Sequence, residues 1–162
     1  MEKEKSSNKI KKVLNLVAVV LSLLFFVALF IFKDKLTNTA SDMVKMQAGT
    51  ETVQSVTAYI DSTYNYKKNA QTYQLTFLEF GSSGCSACKR MEKVMQDIRE
   101  KYPEKVKVVF YNITFPKNRK LMKYYGVSVI PTQILLDTEG KEFFRHTGYI
   151  STKEITNKMS LD

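Results

Sequence analysis

Histidine and cysteine are scarce in this chain of 162 residues, which has one histidine and two cysteines. A single imidazole excludes a metal site built from several histidines, and the three side chains together fall short of the four ligands of a structural zinc site. Two cysteines also exclude a small fold held together by several disulfides. The fold must therefore depend on a hydrophobic core, and we expect no metal or other cofactor.

Basic residues outnumber acidic ones, but unevenly along the chain. Seven of the 25 Lys and Arg residues lie within positions 1–35, and the remainder of the chain has 18 basic and 13 acidic residues in mixed-sign stretches. Such mixing is typical of a solvated surface rather than of a phosphate-binding groove. We therefore expect no nucleic-acid partner.

A run of 20 residues without a charge, positions 13–32, follows a lysine-rich segment over positions 1–12. A helix of this length, at about 1.5 Å per residue, covers the hydrocarbon core of a bilayer. The lysines before the run predict a cytoplasmic N-terminus and an extracytoplasmic location for the rest of the chain. The run is longer than the apolar region of a signal peptide, which favours an uncleaved single-pass anchor over secretion.

Beyond this anchor, positions 33–49 are polar and are interpreted as a stalk, and positions 50–162 as one folded domain. Strands separated by helices imply parallel crossovers, and the last two strands form a hairpin. The predicted fold class is α/β, with helices on both faces of a mixed sheet. The predicted helices are 50–67, Cys85 to about Tyr102, Pro116 to Gly126, and one after a Ser151–Glu154 capping box, and the predicted strands are 75–80, 106–111, 129–136 and 141–146.

The two cysteines, Cys85 and Cys88, stand at the start of a predicted helix. Thiols at this spacing can close a small disulfide, and the helix N-terminus favours the thiolate of the first one. The pattern indicates redox chemistry. Two inert core cysteines are one alternative, and a copper-handling module that uses both thiolates, with His146 as the one available imidazole, is another.

Glu79 lies between apolar residues in the predicted strand 75–80. Burial there would disfavour the charged carboxylate and raise its pKa. The alternation of the strand also permits a side chain that faces solvent. Both readings are open from the residues alone.

The segment from Tyr73 to Asp162 resembles the thioredoxin family. The matching residues are Glu79-Phe80, Cys85-Ser86-Ala87-Cys88-Lys89, the Gly-Val-x-x-Ile-Pro-Thr segment from Gly126 to Thr132, and Gly148. The resemblance implies a thioredoxin-like fold and a thiol-disulfide oxidoreductase. Several shorter motifs also resemble a bacterial subgroup that is associated with membrane carriers of reducing equivalents of the cytochrome c biogenesis type.

The resemblance also implies a role for individual residues. Cys85 would be the nucleophile, Cys88 the resolving cysteine and Glu79 the acceptor of the Cys88 proton. The Ile130–Pro131 bond would be cis, so that the backbone before it can pair with a substrate segment. The substrate-binding residues implied by the resemblance are Ile130, Thr132 and Gly84.

The expected function is that of a membrane-tethered, monomeric reductase of protein disulfides that receives its electrons from a transmembrane donor. Glu79 and the absence of histidine between the cysteines favour a reductase over an oxidase. A non-catalytic thioredoxin-like adaptor is a further alternative. His146 is expected to be an ordinary surface or structural residue rather than a proton relay.

Gly81 and Gly84 stand where the family usually has tryptophan, which affects the redox potential and the substrate surface.

Overall fold

The computed structural model describes residues 2–161, without the side chains of residues 2–13, 30, 33, 34 and 38. The chain divides after Asn38 into two units. The helices are α1 (Glu2–Met46), α2 (Thr50–Tyr64), α3 (Tyr66–Asn69), α4 (Ser86–Lys101), α5 (Arg119–Tyr125) and α6 (Thr152–Met159), with a 3-10 helix over Pro116–Asn118. The strands are β1 (Leu75–Gly81), β2 (Val106–Asn112), β3 (Thr132–Leu136) and β4 (Glu142–Thr147).

The first unit is the N-terminal part of α1, which contains the uncharged run. Most of its described side chains are apolar and exposed, for example Leu16 and Phe26, each 64% exposed. Within the described part of the chain, no helix is long and apolar enough to cross a membrane. The predicted basic segment over 1–12, and Val13 and Phe30 of the predicted anchor, have side chains that lie outside the described residues.

The polar segment interpreted as a stalk is helical as far as Met46. It contains neither glycine nor proline between positions 33 and 46, so nothing in its backbone ends the helix. In the second unit, the end of α1 lies against Gly126, and Ser41 is buried there. Gly126 has a φ of 64°, and a Cβ at this position would lie 2.8 Å from Cγ of Lys45. A glycine is therefore required where α5 ends beside α1.

The sheet of the second unit has the strand order β2-β1-β3-β4. Strand β1 pairs parallel with β2 and antiparallel with β3, and β3 pairs antiparallel with β4. The sheet is mixed, as predicted, but the expected parallel crossover from β2 to β3 is wrong. Helix α5, at about 1.5 Å per residue, is only about half as long as a strand of seven residues. It does not carry the chain back along the sheet, so β3 begins at the edge where β2 ends.

Helices cover both faces of the sheet, as predicted. Leu78 and Phe80 of β1 belong to a core with α2 and α5. Phe77 belongs to a second core with α4 and α6. Because successive side chains of a strand point to opposite faces, Glu79 and Gly81 lie on the same face as Phe77, beneath α4.

Two predicted elements differ from the structure by more than one residue at a boundary, and one predicted cap is confirmed. The predicted helix 50–67 is interrupted at Asn65, whose side chain accepts a hydrogen bond from the Lys68 backbone N–H and so begins α3. Strand β3 begins at Thr132 rather than at 129, since Pro131 has no N–H to donate to a neighbouring strand. The capping box of Ser151 and Glu154 is present at the start of α6.

Candidate redox site

Cys85 and Cys88 form a disulfide at the start of α4, with their Cα atoms 5.2 Å apart. Cys85 is the N-cap residue of the helix, and its Sγ accepts a hydrogen bond from the Cys88 backbone N–H at 3.2 Å. The first N–H groups of a helix have no partner within the helix and favour negative charge. A thiolate on Cys85 would therefore be stabilised at this position.

The two sulfur-bearing residues differ in their access to solvent. Cys85 is half-buried and its neighbours Ser83, Gly84 and Ser86 are exposed, whereas Cys88 is only 3% exposed. An incoming disulfide can therefore approach Cys85 more readily than Cys88. This difference distinguishes a nucleophilic cysteine from a resolving one.

Glu79 is fully buried, so the reading in which it faces solvent is wrong. Burial raises the pKa of its carboxyl group to about 8, and a hydrogen bond from Gln133 opposes that rise. Glu79 lies two residues before Gly81 on the same face of β1. A Cβ at Gly81 would be 3.3 Å from Sγ of Cys88, so Gly81 lies next to the buried sulfur. Glu79 is two residues before Gly81, which is a distance of about 7 Å along the strand.

Gln133 is a residue of the site that the sequence analysis missed. It stands opposite Glu79 in the antiparallel pairing of β1 and β3. Its side-chain Nε2 donates to the Glu79 carboxyl group, at 3.1 Å from Oε2 and 3.4 Å from Oε1. The signal in the sequence was an amide side chain in a predicted strand, directly before the apolar run Ile134-Leu135-Leu136.

Pro131 lies at the same edge of the sheet as the cysteines. The Ile130–Pro131 bond is cis, which is the isomer that the resemblance implies. The next residue, Thr132, pairs with Phe80 near the end of β1, and the loop to Cys85 follows directly. The Pro131 carbonyl accepts a hydrogen bond from Gly148 N–H at 2.8 Å. The topology thus brings Pro131 and Cys85 to one edge.

The three predicted substrate-binding residues occupy different environments. Gly84 is exposed, and a Cβ built on it would meet nothing within 4 Å. Ile130 is half-buried. Thr132 is 2% exposed, its hydroxyl donates to the Val129 carbonyl at 2.7 Å, and its backbone lies between β1 and β4. Gly84 and Ile130 are therefore accessible to at least some degree, whereas the Thr132 side chain is not.

His146 stands opposite Gln133 on β4 and is half-buried. Its Nε2 lies 3.2 Å from the Tyr149 carbonyl oxygen. Arg90 of α4 stacks on the Tyr149 ring at 4.8 Å from the ring centre, so the chain after β4 is joined to the cysteine-bearing helix by a cation–π contact. Among the side chains that the structure describes, no three metal-ligating residues stand together.

A mixed sheet with a Cys-x-x-Cys disulfide at the start of the helix after its first strand defines a thioredoxin-fold protein. A family profile described as "Thioredoxin-like domain" matches residues 60–160. The chain therefore belongs to this family of thioredoxin-like domains.

Known proteins and solved structures are similar to about half of the chain. Thioredoxin H-type 1 of Nicotiana tabacum is 26% identical over 83 residues, which are 51% of this chain and 63% of that protein. This chain thus spans less than two thirds of the relative's length.

Among solved structures, thioredoxin-2 of a malaria parasite has a TM-score of 0.50 and 18% identity, over 55% of this chain and 84% of that one. An exposed lipoprotein thioredoxin of Streptococcus pneumoniae has a TM-score of 0.50 and 20% identity, over 56% of this chain and 87% of that one. At these identities the structures show the fold alone.

The raised pKa of Glu79 predicts a fall in stability of the oxidised protein as pH rises. The unfolded chain releases this proton near 4.5, whereas the folded protein retains it up to about 8. Between these values the folded state binds more protons, so the free energy of unfolding should fall on the order of 1 kcal/mol per pH unit. Urea unfolding under non-reducing conditions at several pH values measures this slope.

Glu79→Gln is the matched variant, because it keeps the size of the side chain and removes the proton. We expect its profile to lack the fall between pH about 5 and about 8. If the free energy of unfolding falls equally with pH in both proteins, Glu79 is not the cause of the fall.

Proposed function

We propose that this chain is a membrane-tethered thiol-disulfide oxidoreductase that faces the extracytoplasmic side and reduces protein disulfides. The observation that supports it most is the arrangement at the start of α4, where the accessible Cys85 and the buried Cys88 form a disulfide above the buried Glu79. Cys85 lies beside exposed residues at the protein surface. An open surface suits a disulfide carried by another protein.

The reaction begins from the dithiol form. The Cys85 thiolate attacks one sulfur of a substrate disulfide, which forms a mixed disulfide and releases the other substrate sulfur as a thiolate that takes up a proton. The Cys88 thiol then gives its proton to the Glu79 carboxylate, and the Cys88 thiolate attacks Cys85 Sγ. This breaks the bond between Cys85 and the substrate, and the second substrate sulfur leaves as a thiolate that takes up the proton from Glu79. The products are the Cys85–Cys88 disulfide and a fully reduced substrate, so two electrons pass from the protein to the substrate.

Glu79 suits the proton transfer because its pKa, at about 8, lies close to neutral pH. A group whose pKa is near the working pH can both accept and return a proton at a useful rate. An ordinary glutamate would remain ionised through the cycle. The buried acid, together with the absence of histidine between the cysteines, favours the reductase direction over the oxidase direction.

The oxidised protein must be reduced again before each further cycle. Outside the cytoplasm this requires electrons from across the membrane, and we propose a transmembrane donor of the kind that serves cytochrome c biogenesis. The domain would act as a monomer, since its substrates and its donor both need access to Cys85.

Membrane tethering is supported by the uncharged run over 13–32 and by the lysines before it. The described apolar side chains of this run are exposed to a degree that is unusual in water, such as Leu14 and Ile31 at 67% each.

Cys88→Ala should trap the substrates of the protein. Without the resolving thiol, the mixed disulfide on Cys85 cannot be released, so we expect disulfide-linked species on non-reducing gels of cells that express the full chain. Cys85→Ala is the matched control and should trap none. If Cys88→Ala forms no disulfide-linked species, the oxidoreductase function is contradicted. If Cys85→Ala retains the cellular function of the protein, the protein is a non-catalytic adaptor.

The reductase direction predicts a low redox potential. Equilibration of the full chain with glutathione buffers, followed by alkylation and mass spectrometry, should give a potential below the roughly −180 mV of protein disulfide isomerase. A clearly higher potential would identify the protein as an oxidant.

The proposed topology predicts that the protein stays in the membrane after carbonate extraction. In intact cells, a membrane-impermeant maleimide should label the reduced Cys85. A cysteine introduced by Ser6→Cys into Cys85→Ala/Cys88→Ala should be labelled only after permeabilisation, because positions 1–12 would be cytoplasmic. Extraction by carbonate, or the reverse labelling pattern, would exclude this topology.

A further inference from the structure

The face of the sheet beneath α4 carries a row of four residues in register. Phe110 on β2 pairs with Glu79 on β1, Glu79 with Gln133 on β3, and Gln133 with His146 on β4. In such a row, neighbouring side chains lie close enough to interact directly. The acid therefore has an aromatic ring on one side and an amide on the other.

Gln133 is an unusual residue for its position. Its side chain is fully buried, and its neighbours in the row are Glu79 and His146. The amide nitrogen donates to the Glu79 carboxyl group, but the amide oxygen has no hydrogen-bond partner within the described part of the chain. A buried polar atom without a partner is destabilising, so an apolar side chain would be more stable here unless the amide oxygen acquires a partner in another state.

We propose that Gln133 is a positioning residue for the proton transfer, which holds the Glu79 carboxyl group in both of its protonation states. This inference rests on the function proposed above. As a carboxylate, Glu79 accepts hydrogen bonds from the amide nitrogen of Gln133. As a carboxylic acid, it donates its O–H to the Gln133 amide oxygen and still accepts from the amide nitrogen. The amide oxygen is then no longer without a partner.

The other elements packed around Glu79 offer few groups that could form hydrogen bonds with its carboxyl group. On α4 the buried residues are Cys88 and then apolar side chains only, and on β2 the neighbour is Phe110. The nearest ionisable side chain on β4 is His146, which lies one strand beyond Gln133 and is directed to the Tyr149 carbonyl. Gln133 is therefore the side chain on β3 that reaches the carboxyl group.

Removal of the amide should make the carboxylate harder to form. A hydrogen bond to a charged acceptor is about twice as strong as one between neutral groups. Gln133→Met, which has similar length and no amide, should therefore raise the titration midpoint of Glu79 by about one pH unit, or about tenfold in the ionisation equilibrium. Gln133→Asn retains the amide on a shorter side chain and should act in the same direction if Gln133→Met does not fold.

The first measurement is the carboxyl ¹³C titration of Glu79 in the full-length oxidised protein, with the signal assigned by its loss in Glu79→Gln. The disulfide form is used because its cysteines do not titrate. Thr76→Val is the matched control, since Thr76 is equally buried on β1 but bonds to Tyr66 and lies on the opposite face. A midpoint that rises in Gln133→Met and not in Thr76→Val supports the proposal.

The second measurement is the rate of insulin reduction between pH 6 and 9, about the range that brackets the expected midpoints. Gln133→Met should slow the reaction up to about tenfold near neutral pH, with the difference lost at high pH. In a Glu79→Gln background the same change should have no further effect on the pH profile.

The outcomes separate the two proposals. An unchanged or lower midpoint in Gln133→Met, or an equal rise in Thr76→Val, would overturn the role of Gln133 whatever the activity of the protein. If the midpoints move as expected but the wild-type chain reduces no insulin disulfide and traps no partner, the pairing of Gln133 with Glu79 stands and the oxidoreductase function is overturned.

Discussion

Strand β1 is buried along almost its whole length, because strands flank both of its edges and helices cover both of its faces. An acidic side chain in such a strand destabilises the fold unless it is protonated or hydrogen-bonded. Glu79 satisfies both conditions through its raised pKa and its contact with Gln133. The burial of the central strand is therefore the main cause of the raised pKa of Glu79.

The helix that follows β1 gives the two cysteines different properties. The turn after Gly81 brings Cys85 to the N-cap of α4, where the Cys88 backbone N–H points at its sulfur. One turn later, the packing of α4 on the sheet buries Cys88 beside Gly81. A thiolate is thus favoured at the exposed position and disfavoured at the buried one. Under the proposed function, the packing that stabilises the domain also makes Cys85 the attacking cysteine and Cys88 the resolving one.

Much of this arrangement was predictable from the sequence, because it depends on local patterns. The sequence analysis predicted the strand β1 from its apolar run and the helix α4 from its apolar face. It also identified the Ser151 capping box and the cysteine pair. The direction of β3 was not, because it depends on how far α5 carries the chain across the sheet. Gln133 was missed for a related reason, since a single amide in a strand acquires meaning only when the register places it opposite Glu79.

The glycines at positions 81 and 84 change how the surface around the disulfide is built. A Cβ at Gly81 would lie 3.0 Å from the Phe110 ring and 3.3 Å from the Cys88 sulfur, so a large side chain has no space there. The space next to Gly81 is occupied by the Phe110 ring of β2, which is 40% exposed. At Gly84 the surface is open. The surface next to Cys85 is therefore open on the side of Gly84, whereas on the side of Gly81 the Phe110 ring lies near Cys88.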